Sequence, residues 1–149
     1  LPSPGALMIQ RDYRAAPANY LISPPFPPDP RLNAALLRAA SPAAVKLVLH
    51  GTADSFYASQ GRAIAGFDDA NQELIPRLQA MGVATLEMET GHLFYLGTLN
   101  ATVHAAALHI VIANRLTDTF LIDRAQRDAL DLQAGLIALK ALLEISAEE

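Results

Sequence analysis

Cysteine is absent from this 149-residue chain, which excludes a disulfide framework and a thiolate zinc site and fits a reducing compartment. A long apolar run is missing too. The longest mostly apolar stretch, ATVHAAALHIVIA from Ala101 to Ala113, falls short of the roughly 20 residues a membrane helix needs and carries two histidines. It reads as a buried strand, and no membrane partner is expected. There is no basic cluster: the net charge of -4 is spread without runs, so no nucleic acid is expected as a partner. The opening LPSPGALMIQ has neither an initiator methionine nor the basic leader and long apolar core of a signal peptide. The chain is therefore expected to begin mid-protein and to work in the cytoplasm, where the sequon Asn100-Ala101-Thr102 carries no meaning.

Familiar catalytic signatures are also lacking. The sequence has no phosphate loop, no G-x-G-x-x-G after a strand, no G-x-S-x-G elbow and no H-E-x-x-H. His104 and His109 fall on opposite faces of the expected strand, so they cannot share one metal ion without a bulge, and ordinary packing is the expectation for both. His92 can pair locally with Glu89, three residues earlier. His50, at a strand end, stays undecided.

What the chain does have is apolar content, 52% of its residues, enough for one domain with a sizeable core. Eight of its ten prolines fall within the first thirty residues, and SPPFPPDP (Ser23 to Pro30) must be extended, because each proline also disfavours helix for its predecessor. Residues 1–30 read as a proline-rich connector and 31–149 as an α/β core. Ala6 to Gln10 is a short apolar run compatible with a strand end. Asp29 caps and Pro30 starts a helix whose leucines 32, 36 and 37 make one face.

Strand and helix then alternate. AVKLVLHGTA (44–53) reads as a strand closed by Gly51, NQELIPRLQAMG (71–82) as a helix with Pro76 disturbing its first turn, VATLE as a short strand and METGHLFYLGTL as a helix. VHAAALHIVIANR (103–115) reads as a long buried strand and Asp123 to Ile145 as a final amphipathic helix. The alternation predicts an α/β fold of three layers, αβα, with a mostly parallel or mixed central sheet. In such sheets ligands bind at the carboxyl ends of strands, and GTADSFYASQGR, EMET and ANR all lie there. Glu87 and Glu89 of EMET thus sit where a sheet meets a cleft, although either one alone could merely favour a helix start.

In order and spacing, TADSFYASQGR (Thr52 to Arg62), EMET (Glu87 to Thr90) and IVIANR (Ile110 to Arg115) resemble the second half of the nucleoside phosphorylases of the uridine phosphorylase type. FDDANQELIPRL and YLISPPFPPDP extend the resemblance over nearly the whole chain. It implies a nucleoside phosphorylase-like fold, incomplete on its N-terminal side, with residues 1–149 forming the C-terminal part of a single domain. By this resemblance Phe56 stacks on the base, while Gln60 and Arg62 bind the pyrimidine edge. Gln offers a donor and an acceptor, and Arg can hold the charge that develops on a departing uracil. Against this, SFYASQGR could be a plain surface loop turning at Gly61.

Met88 and Glu89 match the family's sugar pair, a thioether against the ribose face and a carboxylate accepting from two hydroxyls beside a sugar that becomes cationic in the transition state. Glu87 points the other way in a regular strand and is expected only to support. The Asn114-Arg115 pair is as in pyrimidine-type members, where purine-specific relatives typically carry an aspartate, and Arg115 joins the substrate-binding set. Gln60, Arg62 and Glu89 are the expected catalytic residues.

The expected reaction is phosphate-dependent cleavage of a pyrimidine nucleoside to free base and ribose 1-phosphate. Inorganic phosphate is the co-substrate, with no metal or organic cofactor and a homo-oligomeric assembly. The family's glycine-bearing phosphate loop and early arginines have no counterpart here; QRDYRA, with Arg11 and Arg14, does not look like it. A sheet without its first strands is expected to leave an apolar edge exposed. Two alternatives stay open: a purine nucleoside phosphorylase or nucleosidase on the same scaffold, and a non-catalytic nucleoside-binding module.

Overall fold

A computed structural model describes residues 5–12, 14, 19–40 and 45–147. The opening LPSP, Tyr13 and Ala15 of QRDYRA, and Ala44, with which one expected strand begins, lie outside the described residues. The chain divides into two compact units, Leu1–Pro27 with Val48–Val103, and Pro28–Leu47 with His104–Glu149.

The first unit is built on a four-stranded sheet of order β2-β1-β3-β4, made of β1 (Ala6–Asp12), β2 (Asn19–Ile22), β3 (Leu49–Ala53) and β4 (Val83–Glu87). β1, β3 and β4 run parallel, and β2 pairs antiparallel with β1. The polypeptide continues beside β1 beyond β2, where Ala6 and Phe26 exchange both backbone hydrogen bonds at 3.0 and 2.8 Å. The prolines on either side of Phe26 lack an amide hydrogen, so they fit this outer position better than an inner strand. Residues before Pro30 therefore contribute strands to the sheet as well as connecting.

Side-chain alternation along β1 divides the two faces. Leu7 and Ile9 join Leu74, Leu78, Val83 and Ala58 in the main apolar cluster, against α2 (Leu74–Ala80). Met8 and Thr52 face the other way, toward α3 (Thr90–Leu99), where Gly91 meets both side chains. A helix on each face of a mixed sheet gives the three-layer α/β arrangement. Pro76 is the third residue of α2, in the first turn, where a missing amide hydrogen breaks no helical bond. Gly51 does not close β3 as expected but sits in its middle. A Cβ there would come 2.8 Å from Leu86 Cδ2 and 2.9 Å from Ile9 Cδ1, so the position is set by packing.

The second unit holds α1 (Pro30–Ala39), α4 (Arg124–Ser146) and a two-stranded ribbon of β5 (Ala113–Asn114) and β6 (Thr119–Phe120). α1 and α4 pack together, with Ala35 and Ala141 fully buried and Arg38 Nε donating to Glu144 Oε1 at 2.7 Å. Both helices start as their sequences indicate. Asp29 accepts from the Leu32 amide at 2.8 Å and engages His104 Nδ1 at 2.7 Å. The Leu32 amide, opposed by partial desolvation and aided by His104, holds the Asp29 carboxyl below its usual range. Asp123 forms a reciprocal capping box with Gln126.

The expected long strand over 103–115 is a correction: residues 103–112 lie in no strand, and only Ala113 and Asn114 pair, with β6. His104 is accordingly exposed, at the helix cap and not in a strand interior. An apolar, β-branched run suits a strand but does not supply the neighbour whose backbone groups complete a ladder. α4 also differs from expectation, since Leu132, Leu136, Leu139, Leu142 and Leu143 are all exposed. With Leu93, Leu96 and Leu99 of α3, the bare apolar surface falls on helices more than on a sheet edge. Among the described residues, no helix is long and apolar enough to cross a membrane.

Candidate functional site

Because β3 and β4 are parallel neighbours, their carboxyl ends open on the same edge of the sheet, and the register pairs Thr52 with Glu87. Two of the three sequence segments of interest start at this edge.

The segment after β3 folds back at once. Asp54 continues the ladder, its amide donating to the Ile9 carbonyl at 3.0 Å, while its carboxylate accepts from the Arg11 amide at 3.1 Å and from the Ser59 hydroxyl. Ser55 Oγ accepts from the Ser59 amide at 3.0 Å, closing a short helical turn, Ala58–Gln60. Gly61 follows with φ of 67°, and a Cβ there would lie 2.5 Å from Ile75 Cγ1. Only glycine suits both the left-handed backbone and the contact with α2. The turn at Gly61 is thus present, within an anchored loop.

Gln60 is buried, with 6% of its surface accessible. Two residues on, the Arg62 guanidinium lies over the Phe56 ring, 4.1 Å from its centroid, a favourable cation–π distance. Tyr57 meets Phe56 edge-on, with centroids 5.1 Å apart, and 47% of Phe56 stays accessible. Phe56 and Arg62 are thus in contact, presenting an aromatic face and a fixed cation together.

Asn71 is a loop residue that sequence reasoning missed. It is buried, and its amide nitrogen donates to the carbonyls of Ala58 and Arg62, each at 3.1 Å. It therefore ties together the two ends of the Ala58–Arg62 segment that carries Gln60. The sequence placed it at the start of the helix expected over 71–82, which begins instead at Leu74, and within FDDANQELIPRL of the resemblance, neither of which gave its side chain a role.

At the end of β4, Met88 and Glu89 lead into α3. Glu89 is the N-cap residue but makes no side-chain capping bond; one of its oxygens accepts from the Met88 amide at 3.2 Å. The capping comes from Glu87, whose Oε2 accepts from the amides of Glu89 at 2.7 Å and Thr90 at 2.6 Å. Its other oxygen accepts from the Thr52 hydroxyl, and Thr52 Oγ1 in turn accepts from the Gly91 amide at 2.6 Å. Half-burial pushes the Glu87 carboxyl up, but the Thr52 hydroxyl and the two amides outweigh it and hold the group below its usual range. His50, nearby on β3, engages Thr85 Oγ1 of β4 through Nδ1 at 2.5 Å, a cross-strand contact within the sheet.

Arg115 belongs to the second unit, where it pairs with Asp118; Asn114 Oδ1 accepts from the Leu116 amide at 2.9 Å and shapes the same turn. Among the described residues no group of three or more His, Asp or Glu side chains could hold a metal ion. The loop carries an aromatic face, a side-chain amide and a guanidinium, and the β4 terminus a thioether and a carboxylate. Such a set can recognise a planar polar ring and a polyol.

The architecture is that of an α/β protein with this polar rim at the carboxyl edge of a mixed sheet. A family model described as the phosphorylase superfamily matches residues 4–144, and the chain belongs to that superfamily. Among solved structures it is similar to one from a structural and catalytic analysis of two diverse uridine phosphorylases in the oomycete Phytophthora capsici. The TM-score is 0.78 and the identity 29%, over 92% of this chain. The match takes in 56% of the other chain, so the present chain spans just over half the length of that relative. No curated protein matches.

Proposed function

We propose that the chain supplies the base and ribose half of a nucleoside phosphorylase site, in an enzyme that cleaves the N-glycosidic bond of a pyrimidine nucleoside with inorganic phosphate. The observation that carries this reading is that the anchored loop bearing Gln60 and the Phe56–Arg62 stack leaves β3 beside the end of its parallel neighbour β4, which leads into Met88 and Glu89. One face of Phe56 is taken by the guanidinium, and the opposite face is the one for a base to stack on. Gln60 pairs with a carbonyl and imide edge, and Arg62 stabilises the negative charge left on the departing pyrimidine. Met88 packs against the ribose, and Glu89 accepts from its hydroxyls and favours the oxocarbenium-like transition state electrostatically.

Arg115 is proposed for substrate binding by the same family likeness alone. No cofactor is needed beyond phosphate as co-substrate. A cytoplasmic homo-oligomer fits a cysteine-free chain whose leucines on α3 and α4 lie exposed. The test is release of base from uridine and from inosine, each with and without phosphate, beside titration calorimetry of uridine on the wild type and Gln60→Ala. Phosphate-dependent release from uridine is expected, together with weaker binding by the variant. Base release without phosphate, preference for inosine, or binding unchanged by Gln60→Ala would each overturn the corresponding part.

Uridine binding in the complete absence of base release would instead select a nucleoside-binding module without turnover.

A further inference from the structure

Glutamate is a poor choice for the N-cap of a helix, where Ser, Thr, Asp and Asn reach the orphan amides more readily. Glu89 nevertheless holds the N-cap position of α3 and makes no capping bond with its side chain. The work is done from two residues earlier. Glu87 Oε2 takes the amides of Glu89 and Thr90, and Thr52 Oγ1, itself donating to Glu87 Oε1, takes that of Gly91. Three successive amides of the α3 entry are thus satisfied by a carboxylate on β4 and a buried hydroxyl on β3.

This arrangement has two effects. The backbone on both sides of Glu89 is pinned to the sheet, since each flanking anchor is itself part of a strand. The Glu89 carboxylate is also relieved of capping and stays at the surface, with one oxygen accepting from the Met88 amide at 3.2 Å and the group open to a ligand from solvent. Strand alternation alone assigns Glu87 no contact with a bound sugar.

We propose that Glu87, together with Thr52, is the positioning residue of the sugar subsite: it caps α3 in place of Glu89 and so fixes the Glu89 carboxylate for the two ribose hydroxyls. The role rests on the nucleoside reading above, and the experiment is chosen to separate the two. Uridine and uracil are titrated calorimetrically into the full chain as wild type, Glu87→Ala, Glu87→Gln, Glu89→Ala and the double alanine variant. Amide hydrogen exchange at residues 89–91 is followed without ligand.

Glu87→Ala is expected to weaken uridine about tenfold, the equivalent of one charge-assisted hydrogen bond lost, while leaving uracil unchanged. Glu87→Gln keeps an acceptor for the amides and should restore affinity to within about threefold of wild type. In the Glu89→Ala background the second substitution should add less than about twofold, because there is no carboxylate left to position. Exchange at residues 89 and 90 should accelerate in Glu87→Ala and not in Glu89→Ala.

Additive losses in the double variant, equal weakening of uracil, or unchanged exchange would each overturn the positioning role. If Glu89→Ala binds uridine as the wild type does, the sugar assignment of Glu89 fails, even where the exchange data uphold Glu87 as the cap. A wild-type chain that takes up no uridine overturns both.

Discussion

Gly91 lies where α3 comes closest to the sheet, and replacing it with alanine sets two effects of opposite sign against each other. As a helical residue, alanine is favoured over glycine by about 0.5–1 kcal/mol. Against that, the new methyl group would sit 2.8 Å from Thr52 Oγ1, 2.9 Å from Met8 Cγ and 3.0 Å from Thr52 Cβ. Thr52 is buried and held on both sides, so it cannot turn away, and the helix must lift. Overpacking of this kind costs ~1–3 kcal/mol, and lifting also stretches the 2.6 Å bond from the Gly91 amide to Thr52 Oγ1, worth ~1 kcal/mol. The steric and hydrogen-bond losses win, for a net destabilisation of about 2 kcal/mol.

For a chain of this length that lowers the melting temperature by about 4–8 °C, read by far-ultraviolet circular dichroism with a urea series as a check. Gly135 of α4 is the matched control, because nothing lies within 4 Å of a Cβ there. Gly135→Ala should therefore stabilise by about 0.5–1 kcal/mol. If Gly91→Ala stabilises as much as Gly135→Ala, the close approach of α3 to β3 is wrong.

Further outcomes follow from other contacts. Asn71→Ala leaves the carbonyls of Ala58 and Arg62 without its two bonds and should cost about 1–3 kcal/mol; uridine affinity should fall with it, as measured by calorimetry. Asp123→Ala removes the capping box of α4 and should cost about 1 kcal/mol in urea unfolding while leaving uridine binding intact. Glu87 is depressed in the folded chain, so its contribution to stability is fully present above its unfolded pKa and is lost as pH falls through the lower folded one. An acid titration of stability should show that loss in the wild type and a correspondingly flatter profile in Glu87→Gln.

Helix starts were the most legible part of the sequence, because their chemistry is local. Asp29 followed by Pro30 identifies a cap within one turn, and that cap forms; Asp123, expected as the first residue of the last helix, stands as its N-cap. The loops after β3 and β4 were legible for a related reason, since strand ends announce themselves by a change from apolar to polar residues. Strand pairing was not. The run from Val103 to Ile112 has the composition of a strand but no ladder, and Gly51 marks a crowded strand centre instead of an end. Both depend on residues far away in the sequence. The same limit hid Glu87, whose partner Thr52 lies 35 positions earlier, and Asn71, which bonds across the loop it follows. Candidate ligand-binding side chains could be named from the family resemblance of the motifs, whereas the bonds that hold their loop and helix in place became visible only with coordinates.

The loop after β3 is stitched at Asp54, Ser55, Ser59 and Asn71 before any ligand arrives. Its side chains have therefore already surrendered most of their conformational freedom during folding, and any guest need supply little of its own binding energy to arrange them. Under the proposed nucleoside reading, affinity for the base is then governed by fit and is exacting toward altered rings, so reshaping specificity at position 60 calls for leaving Asn71 in place.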